Sequence, residues 1–280
     1  MSDRLAMIDG LRNCGRAFAD AVVRVLEAQR AEAKVDLYEP VVDEVIGGLF
    51  ARTFRFLHTF VLDFHLWADD LGQIILRIML ESVFYLRFLI AQNQPELFLA
   101  FQKYGIGQEK LYKLHLRKLV EEGKLEDAKE LHDYINSDSD EEISDELLNV
   151  RLKNFEDLRK VATDAGMKDE YVLRYQPEST IVHGHWPALR RYYLALCGEP
   201  LHRHHLQPSF RLPPLNLTLL EQAFELFMEA YGLWRKKYGL DDRISPHVDH
   251  YFECCRAVDS STAQESTETN RLGETAGENG

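Results

Sequence analysis

The sequence predicts an all-α protein, a single bundle-like domain of many helices. Only 16 glycines and 9 prolines occur among its 280 residues, and hydrophobic residues make up 45% of the chain. Long stretches place apolar residues at helical spacing, and no segment alternates cleanly between apolar and polar residues as a half-buried strand does. We therefore expect one helical domain over residues 1–258. Residues 259–280, rich in Ser, Thr, Glu and Gly and without an aromatic residue, are expected to form a disordered acidic tail.

The first part of the chain predicts four long helices. They are expected from Ser2 to about Ala33, from Pro40 to about Phe64, from Leu71 to Gln92, and from Pro95 onward with a break at Gly105–Gly107. Proline suits the first position of a helix, where no backbone N–H is needed. Asp69 or Asp70 is expected to cap the third helix.

An acidic segment follows these helices. Residues 121–146 contain twelve Asp and Glu residues against Lys124 and Lys129. Such a concentration of one charge is typical of a solvated connection, and the alternative is a surface that attracts a basic partner.

The second half predicts shorter helices separated by proline and glycine. They are expected from about Asp145 to Ala165 with Gly166 at the end, over Lys168–Arg174, from Pro177 to Gly184, from Pro187 to Gly198, from a capping box at Thr218–Glu221 to Gly239, and over Pro246–Val258. Between them, Glu199–Leu215 reads as a long loop, a kind of segment that often carries function.

Composition predicts a cytoplasmic protein. The N-terminus has no apolar signal region, and the longest apolar run is interrupted by charged residues, so we expect no membrane span. The four cysteines (Cys14, Cys197, Cys254 and Cys255) form no metal-type pair and are expected to be reduced thiols. A net charge of −13 argues against a general nucleic-acid coat, although a local basic site remains compatible with it.

Two pairs of polar residues four positions apart are candidates for a functional site. Arg77 and Glu81 share one face of the most apolar helix, and Ser179 and His183 share one face of the helix expected from Pro177. Histidine exchanges protons near neutral pH, arginine grips phosphate with two bonds, and Ser179 is expected near a helix N-terminus that favours anions. Together these groups would suit phosphodiester chemistry. The alternative is a buried ion pair and a histidine that only fix helix packing.

Histidine clustering offers a weaker hypothesis of a transition-metal site. The histidines in question are His58, His65, His183, His185, His202, His204 and His205. Without a cysteine or a suitably spaced carboxylate beside them, an exposed polar loop explains them better. We therefore expect no metal ion and no cofactor.

The same residues carry a resemblance to a known family. The motif R-x-x-x-E-x-x-x-Y is followed by Y-x-x-x-S-x-x-x-H-G, formed here by Arg77, Glu81 and Tyr85 and by Tyr175, Ser179, His183 and Gly184. This combination resembles a family of uncharacterised bacterial all-helical proteins, catalogued as a domain of unknown function.

A more distant likeness is to HEPN helical proteins, many of which are ribonucleases or antiphage components. Their arginine–histidine signature occurs here only as Arg52 and His58. Residues six positions apart lie roughly 120° apart on a helix, so this pair does not share a face.

These observations lead to a functional hypothesis. We expect a polar pocket that binds, and can cleave, a phosphate-bearing ligand such as RNA, with His183 and Glu81 in catalytic roles and Arg77, Ser179 and Tyr175 binding the ligand. The expected assembly is a homodimer without membrane contact. The alternatives are a non-catalytic helical interaction module and a metal-dependent hydrolase that uses the clustered histidines.

Overall fold

The computed structural model describes residues 2–125, 129–135, 155, 157–199, 205–211, 213 and 215–257. These residues are helical apart from connections and one two-stranded sheet, which confirms the all-α prediction. Most of the acidic segment, the predicted helix start near Asp145, His202, His204 and the predicted tail lie outside the described residues.

Long helices alternate with short helices and turns along the chain. The helices are α1 (Ser2–Glu32), α2 (Pro40–Leu62), α3 (Asp69–Gln92), α4 (Pro95–Glu121), α5 (Lys129–Ile135), α6 (Leu158–Asp164), α7 (Lys168–Glu170), α8 (Gln176–Val182), α9 (Trp186–Ala188), α10 (Leu217–Tyr238) and α11 over 245–257. A 3-10 turn covers Phe64–Trp67, and π turns cover Tyr171–Tyr175 and Leu189–Tyr193. Strands β1 (Leu194–Leu196) and β2 (Leu206–Pro208) pair antiparallel, with Leu194 opposite Pro208.

The core lies where α2, α3 and α10 pack against one another. Phe60, Phe84 and Phe227 are fully buried there, and the Phe50 ring stacks on Trp234 with the ring centroids 4.9 Å apart. Helices α1 and α4 pack on α2, while α6 and α8 pack on α3. Because α3 carries apolar residues on more than one side, several neighbouring helices can pack on it at once.

Gly72 allows close packing around the first turn of α3. A Cβ atom at this position would lie 2.5 Å from the Leu66 carbonyl oxygen and 2.6 Å from Leu219 Cδ1. Glycine therefore allows the 3-10 turn and α10 to approach the first turn of α3.

Four local predictions about helix ends are corrected. Helix α4 continues through Gly105, and α3 begins after Ala68 without a side-chain cap. The helical path runs from Lys168 to Val182 without stopping at Pro177. In the π turn before Pro177 the Gln176 N–H donates to the Tyr171 carbonyl, five residues back, and this wider turn accommodates a proline, which has no N–H. Helix α10 is capped by Asn216, which accepts from the Thr218 N–H at 3.1 Å.

The predicted helix from Pro187 to Gly198 is also shorter than expected. It ends at Tyr193, and residues 194–196 become β1 because they pair with β2, which lies within the segment 199–215 that was predicted to be a loop. Pairing with a distant segment overrides the local helical spacing at this point.

A disulfide joins Cys14 of α1 to Cys254 of α11, 240 residues apart in sequence. The prediction that these two cysteines are reduced was wrong. Cys197 and Cys255 form no disulfide.

One helix among the described residues, α2, is long and apolar enough to cross a membrane. Core helices pass the same test, and α2 supplies nine buried residues to the bundle. The finding is therefore weak evidence for a membrane span.

Candidate functional site

A group of charged and phenolic side chains lies between α3 and the helical run 168–182. We call it the inter-helix cluster: Arg77 and Glu81 from α3, and Arg174, Tyr175 and Glu178 from the run. Packing of α8 on α3 brings the two sides together. Polar groups at such a seam need partners, because burial removes their water.

Arg77 makes the contacts that join the two helices. Its Nη2 donates to the Tyr175 hydroxyl at 2.5 Å, and its guanidinium carbon lies 4.6 Å from the centroid of the Tyr175 ring. On its own helix, Nη1 is 3.7 Å from Glu81 Oε2, which makes the ion pair predicted by the four-residue spacing. The structure thus brings Arg77, Glu81 and Tyr175 together, as expected from the sequence.

The Tyr175 phenol is a poor acid in this environment. Burial, followed by the negative charge of Glu81, raises the pKa of Tyr175 to about 12, and Arg77 opposes the rise. Tyr85, one turn after Glu81, also has its pKa raised to about 12 by burial and by Glu81. Both phenols therefore stay protonated at neutral pH and keep an O–H that can donate a hydrogen bond.

Glu178 is the residue that sequence reasoning missed. It is 5% exposed, and burial raises its pKa to about 7 against the opposing effect of Arg174 and Arg77. A carboxyl in this range exchanges a proton near neutral pH, as histidine usually does. Its spacing of four residues from Arg174 was visible in the sequence, but its burial was not.

Several buried atoms of the cluster lack hydrogen-bond partners. Among the described residues, seven buried side-chain nitrogen and oxygen atoms have none, and four of them are here: Arg77 Nε, Arg174 Nε and Nη2, and Glu178 Oε2. Buried polar groups in folded proteins are almost always satisfied by protein groups, ordered water or a bound molecule, so this seam concentrates groups that water or a ligand would have to satisfy.

The cluster extends towards α10 through Arg174. Glu229 on α10 has its pKa raised by burial, and Arg87 and Arg174 oppose that rise. The Arg87 Nη1 lies 3.1 Å from Glu229 Oε1, although that oxygen makes no hydrogen bond. Arg174 therefore faces carboxyl groups from two helices, Glu178 and Glu229.

Ser179 and His183 do not join these contacts. Because the helical path continues from Lys168, Ser179 lies inside it and not near a helix N-terminus as expected, and its ligand-binding role stays a prediction. His183 is exposed at the C-terminal end of α8, and its ring lies 5.7 Å from that of His185. Its catalytic role, like that of Glu81, stays a prediction.

The histidine and HEPN-type patterns gain no support from the geometry. No group of three or more metal-ligating side chains occurs in the part of the chain that the structure describes. Arg52 donates to the Ser82 hydroxyl at 2.8 Å, whereas His58 lies against the Phe54 ring.

The cluster combines two functional elements. Guanidinium N–H groups without partners can hold an anion, and a carboxyl with a pKa of about 7 can give or take a proton. The fold and this site define an all-helical protein with a buried cluster of arginine, glutamate and tyrosine side chains between two helices.

Comparison with known proteins gives the family. A family model described as "Family of unknown function (DUF5677)" matches residues 43–199, more than half of the chain. The chain belongs to this family, and the whole inter-helix cluster lies within the matched range. No curated protein and no solved structure matches the chain significantly.

Proposed function

We propose that this protein binds a small phosphate-bearing ligand at the inter-helix cluster. Arg77 and Arg174 hold the phosphate group, and Glu178 gives or takes a proton. The observation that carries the proposal is the set of four buried polar atoms without partners at this one seam.

The free-energy cost of leaving these four atoms without partners favours a bound ligand. An unsatisfied buried donor or acceptor costs about 1–3 kcal/mol, and groups on charged side chains cost more. Three of the four atoms are guanidinium nitrogens, which donate to anions. A ligand that accepts these bonds would recover much of that cost on binding.

Phosphate fits the donor set better than a carboxylate. The unpartnered donors come from Arg77 and Arg174, on two helices, so the acceptor must present lone pairs in more than one direction. A phosphate group has several oxygens around one centre, whereas a carboxylate accepts in a single plane. The Arg77 and Glu81 side chains are 17% and 27% exposed, so one edge of the seam touches solvent.

Binding is tested by calorimetric titration of the full chain with inorganic phosphate, pyrophosphate and nucleoside monophosphates. We expect at least one of these to bind and Arg174→Gln to weaken that binding by about tenfold or more. Arg159→Gln, which changes an exposed arginine on α6, is the matched control. If none of the probes binds, or if both variants bind as the wild type does, the proposal is wrong.

Turnover is tested separately with the phosphate ester that binds. Glu178→Gln keeps the shape of the side chain but removes its proton exchange, so we expect it to retain binding and lose any hydrolysis. His183→Ala tests the catalytic role predicted for that histidine. Loss of hydrolysis in His183→Ala alone would transfer the acid–base role to His183.

The proposal also includes a cytoplasmic location and a homodimeric assembly. A HEPN-like antiphage role in bacteria is a further part of it and rests on the resemblance alone. A cytoplasmic location is expected from the composition, although the Cys14–Cys254 disulfide is more usual in oxidising compartments. Trapping of thiols in freshly lysed cells measures the state of this pair. Light scattering after size-exclusion chromatography tests the expected homodimer.

A further inference from the structure

A second surface, away from the inter-helix cluster, combines arginines with exposed aromatic rings. We call it the arginine–aromatic face. Its members are Trp186, Arg190, Arg191, Tyr193, Phe210 and Arg211. Phe210 is 94% exposed and comes directly before Arg211 in the chain, and Trp186 is 60% exposed and lies about one helical turn before Arg190. Such rings are costly to expose and mark binding surfaces when they cluster.

The small sheet builds this face from two distant segments. Trp186 and Arg190 lie on the helical run that ends at Tyr193, where β1 begins. The Ser209 N–H donates to the Tyr193 carbonyl at 2.8 Å, just after β2 ends. This bond places Phe210 and Arg211 beside the end of the run.

The acidic groups beneath the face point inward. Asp69 accepts from the Tyr192 hydroxyl at 2.9 Å, from Arg191 at 3.1 Å and from Asn216 at 3.2 Å. Burial would raise the pKa of Asp69, but these bonds, with one from Gln73, outweigh burial and lower it. The Asp69 carboxylate therefore serves as a buried anchor.

The arginine side chains of this face are exposed. Arg191 pairs with Asp69, yet its side chain is 68% exposed, whereas that of Asp69 is 17% exposed. Arg190 and Arg211 are also exposed. The surface thus presents positive charge although the whole chain carries −13.

A cleft opens at the end of this face where Arg191 and Arg211 lie. It has a volume of about 680 Å³ and is also bordered by Tyr192, Asn216 and the Asp69 carboxylate. This volume falls in the range of clefts that bind ligands of nucleotide size. Arginines at its edge are placed to contact a phosphate backbone passing over it.

We propose that the arginine–aromatic face binds single-stranded nucleic acid. Unpaired bases stack on exposed aromatic side chains, and arginines contact the backbone phosphates between them. A duplex hides the faces of its bases within the stack, so it cannot use Phe210 or Trp186 in this way. An acidic peptide would use the arginines but would gain little from the protruding rings. The inference does not depend on the inter-helix cluster.

Fluorescence anisotropy of the full chain with a labelled RNA of about 15 nucleotides tests the inference. We expect Phe210→Ala to weaken binding by about tenfold, because it removes a stacking platform, and Phe210→Trp to retain it. Tyr38→Ala changes an aromatic residue that is 97% exposed elsewhere, so it is the matched control.

The charged part of the face is tested by salt dependence. We expect Arg211→Gln to reduce the slope of log affinity against log salt by about 0.7, the loss of one phosphate contact on a single strand. The exposed Arg24 of α1 provides the control variant Arg24→Gln. Single-stranded DNA of the same sequence shows whether the sugar matters.

Three results would overturn the inference: no binding of single strands by the wild type, equal binding of single-stranded and duplex RNA, or equal losses in Phe210→Ala and Tyr38→Ala. Displacement of the RNA by an acidic peptide at equal affinity would also overturn it and would assign the face to protein. Arg174→Gln leaves this face untouched, so failure at one site does not imply failure at the other.

Discussion

Replacement of Glu178 by glutamine should change how the stability of the protein depends on pH. The carboxyl has an ordinary pKa of 4.5 in the unfolded chain and about 7 in the folded protein, mainly because it is buried. Between these values the unfolded chain releases a proton that the folded protein keeps. Folding is therefore favoured fully below pH 4.5, loses stability as the pH rises through this window, and is constant above about pH 7.

The size of the effect follows from the pKa shift. One pKa unit corresponds to 1.36 kcal/mol, so a rise from 4.5 to about 7 costs the folded protein about 3 kcal/mol of unfolding free energy at pH 8. Glutamine does not titrate and escapes this cost. Relative to the wild type, Glu178→Gln should gain about 3 kcal/mol between pH 4 and pH 8.

Urea unfolding followed by tryptophan fluorescence, repeated across this pH range, measures the difference. Glu225→Gln, at an exposed position on α10, is the control and should follow the wild type. A difference between Glu178→Gln and the wild type that stays constant with pH would show that Glu178 is ionised normally. In that case its assignment as a proton-exchanging group would fail.

Three other changes test the packing and the termini. Gly15→Ala should lower the free energy of unfolding by about 2 kcal/mol, because its Cβ would overlap the backbone of α2. The Cβ of Gly48→Ala meets nothing within 4 Å, so this variant should raise the free energy of unfolding by about 0.5–1 kcal/mol. Equal effects of the two variants in chemical denaturation would contradict the packing. Reduction of the Cys14–Cys254 bond should cost about 2–5 kcal/mol, seen as a lower melting temperature with a thiol reductant, and an unchanged melting temperature would refute a structural role. Asn216→Ala should cost about 1 kcal/mol in urea unfolding, since it removes the cap of α10, and a neutral effect would return that role to Thr218.

Local signals were sufficient to predict the long helices. Helix α1 was expected from Ser2 to about Ala33 and runs from Ser2 to Glu32. The predicted end of α10 at Gly239 is confirmed by its left-handed backbone, with φ of 64°. Proline, glycine and apolar spacing act within a few residues, so they can be read from one segment alone.

Features that depend on distant contacts could not be predicted. The pairing of β1 with β2 and the bond between Cys14 and Cys254 join segments that have no shared local pattern. The π turn before Pro177 could not be predicted either. No local motif marks it, and it occurs where Tyr171 and Tyr175 pack against Phe84 of α3.

The candidate site was predictable only where local spacing or a sequence motif pointed to a residue. Spacing on one helix paired Arg77 with Glu81, and the motif containing Tyr175 supplied the residue across the seam. Residue type, the spacing from Ser179 and the same motif favoured His183, which lies exposed at a helix end. Glu178 became a candidate through its burial, a property that a sequence does not display.

A high-resolution crystal structure of the purified protein, grown with the phosphate compound that binds most tightly, tests the central claim most directly. We predict density for a phosphate group within hydrogen-bond distance of Arg77 Nε and of the two unpartnered Arg174 nitrogens. Density for the compound at another place, with these nitrogens donating to the Glu178 carboxylate or to ordered water, would contradict it.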